Sequence, residues 1–260
     1  MKKIIGLLTV LVAITLAGCF DLVEDIAVND NGSGVYQMNM DMSGLLDFLD
    51  MMQAQDTALS QKMEKSGFKN IDTLLQLKNF TDTAKDLTKE EKALLHDATM
   101  QFTVKQKERV LKAKMTYPFK QLTDISKLMA LGKSGKQAKL LMKSLGNKEG
   151  PGAEMGENTP AMPGFNDVFD MTYQKGLLER KVNEQKFKEL QANNKLPGLE
   201  EGGEAFATAT MSTVLHLPKP AKKVTGDNIQ VSDDKKTVTI KRTFKDVMEN
   251  PKTLAFRIEY

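Results

Sequence analysis

Apolar and polar residues alternate over short stretches of this chain, and turn-forming residues separate the stretches. Between positions 20 and 28 the apolar side chains fall on one face of an extended strand, at Phe20, Leu22, Ile26 and Val28. An Asn-Gly turn at residues 31–32 leads to a second alternating run, at Tyr36, Met38, Met40 and Met42. Because strand side chains repeat every two residues, this pattern predicts an antiparallel hairpin with one apolar face.

The same pattern recurs further along the chain. Alternation on both sides of residues 106–108 predicts a second hairpin, from Met100 to Tyr117, and Phe169–Val182 is predicted to be a third, turning near Gly176. Ile71–Leu77 is compatible with a strand or a helix, and Gly67 and Asn70 before it favour a short strand. The C-terminal part is predicted as β structure, with strands at Phe206–Leu217, Asn228–Val231, Lys236–Arg242 and Thr253–Tyr260.

Helical periodicity and helix-capping residues occur between these strands. Thr88 and Glu91 have the spacing of a capping box, and other helices are predicted at Gly44–Gln53, Leu122–Leu145, Glu184–Ala192 and Phe244–Glu249. Local hairpins with helices between them favour an α+β fold, in which a mainly antiparallel sheet carries its helices on one face. We predict a single α+β domain over residues 19–260, with a flexible Gly- and Pro-rich loop at about 146–164.

The N-terminus carries a targeting segment. Lys2 and Lys3 precede an apolar stretch, Ile4–Leu16, which is too short to span a bilayer but has the length of a signal peptide. The stretch ends in a motif that matches the lipobox of bacterial lipoproteins, with signal-peptidase recognition residues before the modified cysteine: Leu16, Ala17, Gly18 and Cys19. Residues 1–18 are therefore predicted to be a lipoprotein signal peptide.

Cys19 is the only cysteine of the chain. The resemblance implies that its thiol receives a diacylglyceryl group, that cleavage follows Gly18, and that the new α-amino group is acylated, for example with palmitate. Several acyl chains on one residue exceed the threshold for stable membrane anchoring. The alternative is an ordinary cleaved signal peptide with an incidental cysteine. Phe20 rather than Asp follows the cysteine, which by resemblance to lipoprotein sorting rules favours the outer membrane.

The charge and composition exclude several classes of function. Basic and acidic side chains nearly balance, 37 against 34, which argues against a nucleic-acid-binding protein. Two His, no Trp, and the absence of HExxH and G-x-S-x-G motifs give no support to a metalloprotease or a serine hydrolase. Residues 29–40 lack the closing carboxylate of a calcium loop. We predict no cofactor, no resident metal and no catalytic residue.

The function predicted from these features is a non-enzymatic, lipid-anchored cell-envelope protein that binds an unknown protein or small-molecule partner. One alternative is an enzyme of unrecognised class that uses carboxylates. Another is a periplasmic copper binder, because the thioethers of Met38, Met40 and Met42 lie on one strand face and soft sulfur ligands select Cu(I). The competing interpretation, which we favour, is that these methionines fill the core.

Four lysines share one third of the helix predicted at Leu122–Leu145 and form a possible membrane-facing surface: Lys133, Lys136, Lys139 and Lys143. Anionic lipid attracts such a face at about 1 kcal/mol per lysine. The competing interpretation is that the opposite, apolar side of the helix covers the sheet and the lysines contact only water.

Turn and strand sequences near both ends of the chain resemble those of uncharacterised envelope lipoproteins of Bacteroidota-type bacteria, and are loosely similar to the LppM-like lipoprotein domain. The segments concerned are Asn31–Tyr36, Asp41–Ser43, Leu215–Pro218 and Ser232–Val238. The resemblance implies an envelope location and a fold. It implies no catalytic residue.

Overall fold

The structure, a computed structural model, describes residues 20–44, 46, 70–133, 168–192 and 209–260. The predicted signal peptide and loop, and most of the helix predicted at Gly44–Gln53, lie outside these residues. Twelve strands are present in the described part: β1 Asp21–Val28, β2 Gly34–Asp41, β3 Ile71–Gln76, β4 Thr99–Lys105, β5 Val110–Phe119, β6 Phe169–Gln174, β7 Leu177–Val182, β8 Thr210–His216, β9 Lys223–Gly226, β10 Gln230–Val231, β11 Thr237–Thr243 and β12 Phe256–Glu259.

Eight of these strands form the larger sheet, in the order β10-β11-β8-β1-β2-β5-β4-β3. The first predicted hairpin is confirmed, with Asp21 opposite Asp41 and Val28 opposite Gly34. Gly32 adopts φ +86° in its turn, a backbone conformation that side chains disfavour. The second predicted hairpin is β4–β5. Antiparallel pairing dominates, but β8 lies parallel to β1, which local alternation did not predict.

The smaller sheet has the order β6-β7-β12-β9, and all its pairs are antiparallel. The third predicted hairpin is confirmed as β6–β7, with Gly176 in its turn at φ +83°. Strand β9 was not predicted, because its four residues are mostly exposed and have no apolar alternation. The strand predicted at Thr253–Tyr260 starts too early, since Pro251–Leu254 form a 3₁₀ helix capped by the Asn250 side chain.

Five α-helices connect the strands of the described part: α1 Lys78–Thr81, α2 Lys89–Leu95, α3 Thr123–Lys133, α4 Glu184–Ala192 and α5 Phe244–Glu249. The capping box of α2 is confirmed, because Thr88 accepts from the Glu91 amide and Glu91 accepts from the Thr88 amide. The boundaries predicted for α4 and α5 agree with the structure. Of the long helix predicted at Leu122–Leu145, the described residues contain α3.

The main core joins one face of the larger sheet to the smaller sheet and to buried residues of the helices. Strand residues such as Ile26, Leu215 and Ile258 share one contiguous cluster with Ile125 and Val247 of the helices. The opposite face of the larger sheet is polar, with Asp25, Gln37 and Thr116 in cross-strand register. The predicted α+β class with mainly antiparallel strands is thereby confirmed, and the strands are divided between two sheets.

Candidate functional site

The predicted lipidation motif, Leu16 to Cys19, lies outside the described residues. Phe20, the next residue, is 5% exposed, and its carbonyl accepts a hydrogen bond of 2.9 Å from the Thr210 amide. Strand β1 begins at Asp21. Phe20, the residue that follows the predicted lipid attachment in the sequence, is therefore part of the folded core.

The predicted lysine face is only partly within the described residues. Lys133 is the last residue of α3, while Lys136, Lys139 and Lys143 lie outside the described part. Helix α3 follows β5, which ends at Phe119 opposite Gly34, at the far end of the sheet from Asp21. A membrane-facing role for these lysines stays a prediction.

The end of the larger sheet nearest to Cys19 carries several charged side chains. Asp21 pairs with Asp41 across the first hairpin, Asp41 with Lys112, and Lys112 with Thr103. The Thr210 hydroxyl donates a short hydrogen bond to Asp21. Lys112 lies 3.0 Å from Asp41. Burial opposes ionisation of Asp41, but hydrogen bonds from Ser43 and Lys112 outweigh it and lower its pKa.

A buried polar cluster lies between the two sheets and was not singled out from the sequence. Arg180 of β7 donates from Nη2 to Glu24 Oε2 of β1 at 2.6 Å, and from Nη1 to Thr213 Oγ1 at 3.2 Å. The Glu24 carboxylate also accepts hydrogen bonds from the Thr213 and Tyr36 hydroxyls, at 3.1 and 3.2 Å. Side-chain exposure is 2% for Arg180 and 7% for Glu24. This ion pair connects the smaller sheet to the larger one.

Aromatic rings complete the surroundings of the Arg180 guanidinium. Its central carbon lies 5.6 Å from the ring centre of Phe169 and 5.3 Å from that of Phe256, within cation–π range. Burial alone would lower the pKa of Arg180, but Glu24 holds it above its usual value. Burial also raises the pKa of Tyr36 and Tyr173, so both phenols stay neutral.

Two atoms of this cluster are incompletely satisfied. The Tyr173 hydroxyl and Arg180 Nε are buried and form no hydrogen bond of good geometry with the described residues. The two groups nevertheless interact, since the charge of Arg180 opposes the rise in the pKa of Tyr173. We interpret the Tyr173 hydroxyl and Arg180 Nε as a weak contact with each other rather than as two groups that await a ligand.

The buried carboxylates of the described residues each have a structural partner. Glu24 is paired with Arg180. Asp124 accepts from the backbone amides of residues 120 and 121 at the start of α3. Glu179 contacts Lys181 and Arg257, both at 3.0 Å. Although burial opposes it, these cations lower the pKa of Glu179. Each of the three buried carboxylates among the described residues is therefore engaged by a different set of partners.

The methionines predicted on one strand face do lie on the inner face of the larger sheet. Met38 packs against the main core, and Met42 packs against a second cluster of Leu46, Val104 and Leu111. The core interpretation is confirmed for these two residues. The structure also places Met115 opposite Met38, and Met100 opposite Met115.

Each of the two histidines lies next to a different aspartate. His216 lies 3.3 Å from Asp25 on the polar face, and His96 lies 2.7 Å from Asp97 at an exposed position. In the part of the chain that the structure describes, no group of three or more His, Cys, Asp or Glu side chains is suited to hold a metal ion. The helices within that part are all too short or too polar to cross a membrane.

Comparison with known proteins gave one similar structure. No family model and no curated protein matches the chain. The folded domain of LppM from Mycobacterium tuberculosis, determined by NMR, aligns with 94% of this chain and 91% of its own length. The TM-score is 0.35 and the sequence identity 7%. The chain is loosely similar in fold to that domain. A similarity at this level carries no argument about function.

Proposed function

We propose that this protein is a non-enzymatic lipoprotein, anchored to the bacterial cell envelope by acyl chains on Cys19, that binds a protein or small-molecule partner. The observation that carries the proposal is the junction at residues 16–21. The sequence match to a lipobox ends at Cys19, and the side chain of the next residue, Phe20, is buried in the fold. Such a junction holds a folded domain directly at the membrane surface.

The arrangement of the buried carboxylates favours binding over catalysis. An enzyme that uses carboxylates needs an acid and a base that converge on one space and have separated pKa values. Glu24, Asp124 and Glu179 are instead occupied by a guanidinium, by backbone amides and by surface cations. These contacts give the three carboxylates a structural role, which supports the non-enzymatic part of the proposal.

Membrane fractionation and metabolic labelling test the anchor. The wild-type protein is expected in the membrane fraction and is expected to be labelled by an alkyne analogue of palmitate. The Cys19→Ser variant is expected to be unlabelled. It is also expected to be absent from the membrane fraction unless its signal peptide is retained. Identical labelling and fractionation of the two proteins would refute the lipoprotein assignment.

A density gradient tests the predicted outer-membrane location, with outer-membrane proteins as markers. Because Phe20 is buried, core packing alone accounts for an apolar residue there, so the sorting assignment rests on resemblance. Co-migration with inner-membrane markers would contradict it.

A second candidate, Cu(I) binding, is favoured by the methionine row. Met38, Met115 and Met100 are consecutive cross-strand neighbours on β2, β5 and β4. Such neighbours are about 5 Å apart, closer than the ~7 Å between alternate residues of one strand. One competing contact is the Tyr117 hydroxyl, which donates to Met115 Sδ at 3.1 Å.

Titration of the purified protein with Cu(I), against a competing chelator, tests this candidate. The matched variant changes Met38, Met100 and Met115 to Leu, which keeps the face apolar but removes sulfur. A copper site predicts tight binding that the variant lacks. Equal binding by both proteins excludes this site.

A further inference from the structure

We propose that a cluster of exposed lysines, called the lysine patch below, binds an acidic segment of a partner protein. The patch consists of five residues: Lys175, Lys219, Lys223, Lys235 and Lys236. The proposal rests on the proposed role in partner binding and names the chemistry of that partner. The lysine patch is a different surface from the predicted lysine face of residues 133–143.

Main-chain hydrogen bonds join the segment after β8 to the turn before β11. The Leu217 amide donates to the Lys236 carbonyl at 2.7 Å. Four residues further on, the Ala221 amide donates to the Lys235 carbonyl at 2.8 Å. Lys219 lies between these two bonds, so the lysines of both segments belong to one surface.

The end of β12 connects this surface to the β6–β7 turn. The Lys222 amide donates to the Glu259 carbonyl at 2.7 Å, and the Tyr260 amide donates to the Gly176 carbonyl at 3.1 Å. Lys175 precedes Gly176 in that turn. The five lysines come from three distant parts of the sequence, and these bonds bring their segments together.

The lysines of the patch outnumber the free acidic side chains around them. Among the described residues, no ion pair joins any of the five lysines to a carboxylate. Asp30 follows β1 at the same end of the larger sheet, and Asp233 and Asp234 lie in the turn between β10 and β11. Five lysines against three aspartates leave an excess of two positive charges.

The other charged groups beside the patch are already engaged. Arg257 lies 3.0 Å from both Glu259 and Glu179, and Glu179 also contacts Lys181 at 3.0 Å. These four charges balance. Lys222 is set aside from the patch, because its ammonium donates to the main-chain oxygen of Tyr260 at 3.3 Å.

The backbone of the patch offers no cradle of free amides to a phosphate group. Phosphate sites commonly use several main-chain N–H groups that point at the ligand. Pro218 and Pro220 have no N–H. The amides of residues 217, 221, 222, 235, 236, 237 and 260 all donate to protein acceptors. The patch therefore attracts anions through its ammonium groups, which suit carboxylates spread along a polypeptide.

The position of the patch favours a protein over a lipid headgroup. Strands β1 and β8 run parallel, with Asp21 opposite Thr210 and Ala27 opposite His216. Six residues along these strands correspond to about 20 Å at ~3.3 Å per residue. The patch begins just after His216, at the end of β8 away from Asp21 and the proposed lipid attachment.

Fluorescence anisotropy tests the patch, with the full lipidated protein in an uncharged detergent and a labelled poly-glutamate peptide as the probe. We expect the wild-type protein to bind this probe and to bind a poly-glutamine peptide of the same length far more weakly. Changing Lys175, Lys219 and Lys223 together to Gln is expected to raise the dissociation constant about two- to five-fold per lysine. Raising the salt concentration is expected to weaken binding by the wild type.

A matched variant removes the same charge from another surface. Lys85, Lys89 and Lys107 are exposed and lie outside the patch. Changing these three to Gln is expected to leave binding unchanged. Equal weakening in the two triple variants would show that binding follows net charge alone and would overturn the proposal, as would a wild-type protein that does not bind poly-glutamate. Coincident melting curves for the three proteins exclude unfolding as the cause of any loss.

Two further arms test other anionic partners, with polyphosphate or vesicles of anionic lipid in place of poly-glutamate. Tighter binding to either of them, lost in the patch variant, overturns the assignment to an acidic polypeptide. The Cys19→Ser fractionation tests the anchor independently. A correctly anchored protein that does not bind poly-glutamate therefore refutes the lysine patch without refuting the lipoprotein assignment.

Discussion

Removing one member of the buried Glu24–Arg180 pair is the sharpest test of how the two sheets are held together. Glu24→Gln keeps the size of the side chain but leaves the Arg180 guanidinium buried between two rings without a counter-ion. Loss of one partner of a buried ion pair costs about 3–5 kcal/mol of unfolding free energy. For a chain of this size the loss corresponds to roughly 6–20 °C in melting temperature.

Two further variants separate the ion pair from simple side-chain loss. Changing Glu24 and Arg180 together to Met removes both charges and refills most of the volume, so the double variant is expected to lose less stability than either single charge-removing variant. Asp41→Asn removes an exposed pair with Lys112, for which water screening limits the loss to less than about 1 kcal/mol.

Urea unfolding of the purified mature protein, followed by circular dichroism, measures all of these variants under one condition. A double variant that loses the sum of the two single effects would show that the charges are not coupled. A Glu24→Gln variant no less stable than Asp41→Asn would contradict the whole argument, because it would mean that a buried guanidinium needs no partner here.

Three further predictions concern pH, close packing and capping. Burial raises the pKa of all four tyrosines in the folded protein, so the free energy of unfolding is expected to fall as the pH rises above about 10. Tyrosinate absorbance is therefore expected to appear only when the protein unfolds. A tyrosine that titrates near pH 10 in the folded protein would contradict this. A Cβ at Gly34 would strike the Ala27 carbonyl and the Phe119 ring, so Gly34→Ala is expected to cost about 3 kcal/mol or more in urea unfolding. Gly32→Ala, with open space but φ +86°, is expected to cost only ~1–2 kcal/mol, and the reverse order would refute the steric argument. Thr88→Ala removes the α2 cap and is expected to cost about 1 kcal/mol in the same assay; no loss would mean that the cap is dispensable.

The buried Glu24–Arg180 pair was not predicted from the sequence. Glu24 occupies the inward face of β1 between Leu22 and Ile26, and Arg180 occupies the inward face of β7 next to Leu178. The sequence signal for this buried pair was one acidic residue on the apolar face of β1 and one basic residue on the apolar face of β7. The two residues are 156 positions apart, so no local pattern could pair them.

Local physics allowed the sequence by itself to determine the hairpins, the capped helices and the α+β class. Alternation, positive-φ glycines and capping side chains act over a few residues, and the first hairpin, the β6–β7 turn and the Thr88 cap all follow from them. The lipobox at residues 16–19 is likewise a local motif, from which the anchor is predicted.

Only the tertiary structure decided which distant segments meet. The parallel pairing of β1 with β8 joins strands about 190 residues apart, and exposed β9 is held as a strand by its pairing with β12. The position of the β4–β5 turn beside the start of β1 depends on three successive registers. Each of these arrangements is selected by burial of a shared core and by long-range hydrogen bonds, which no local window of sequence contains.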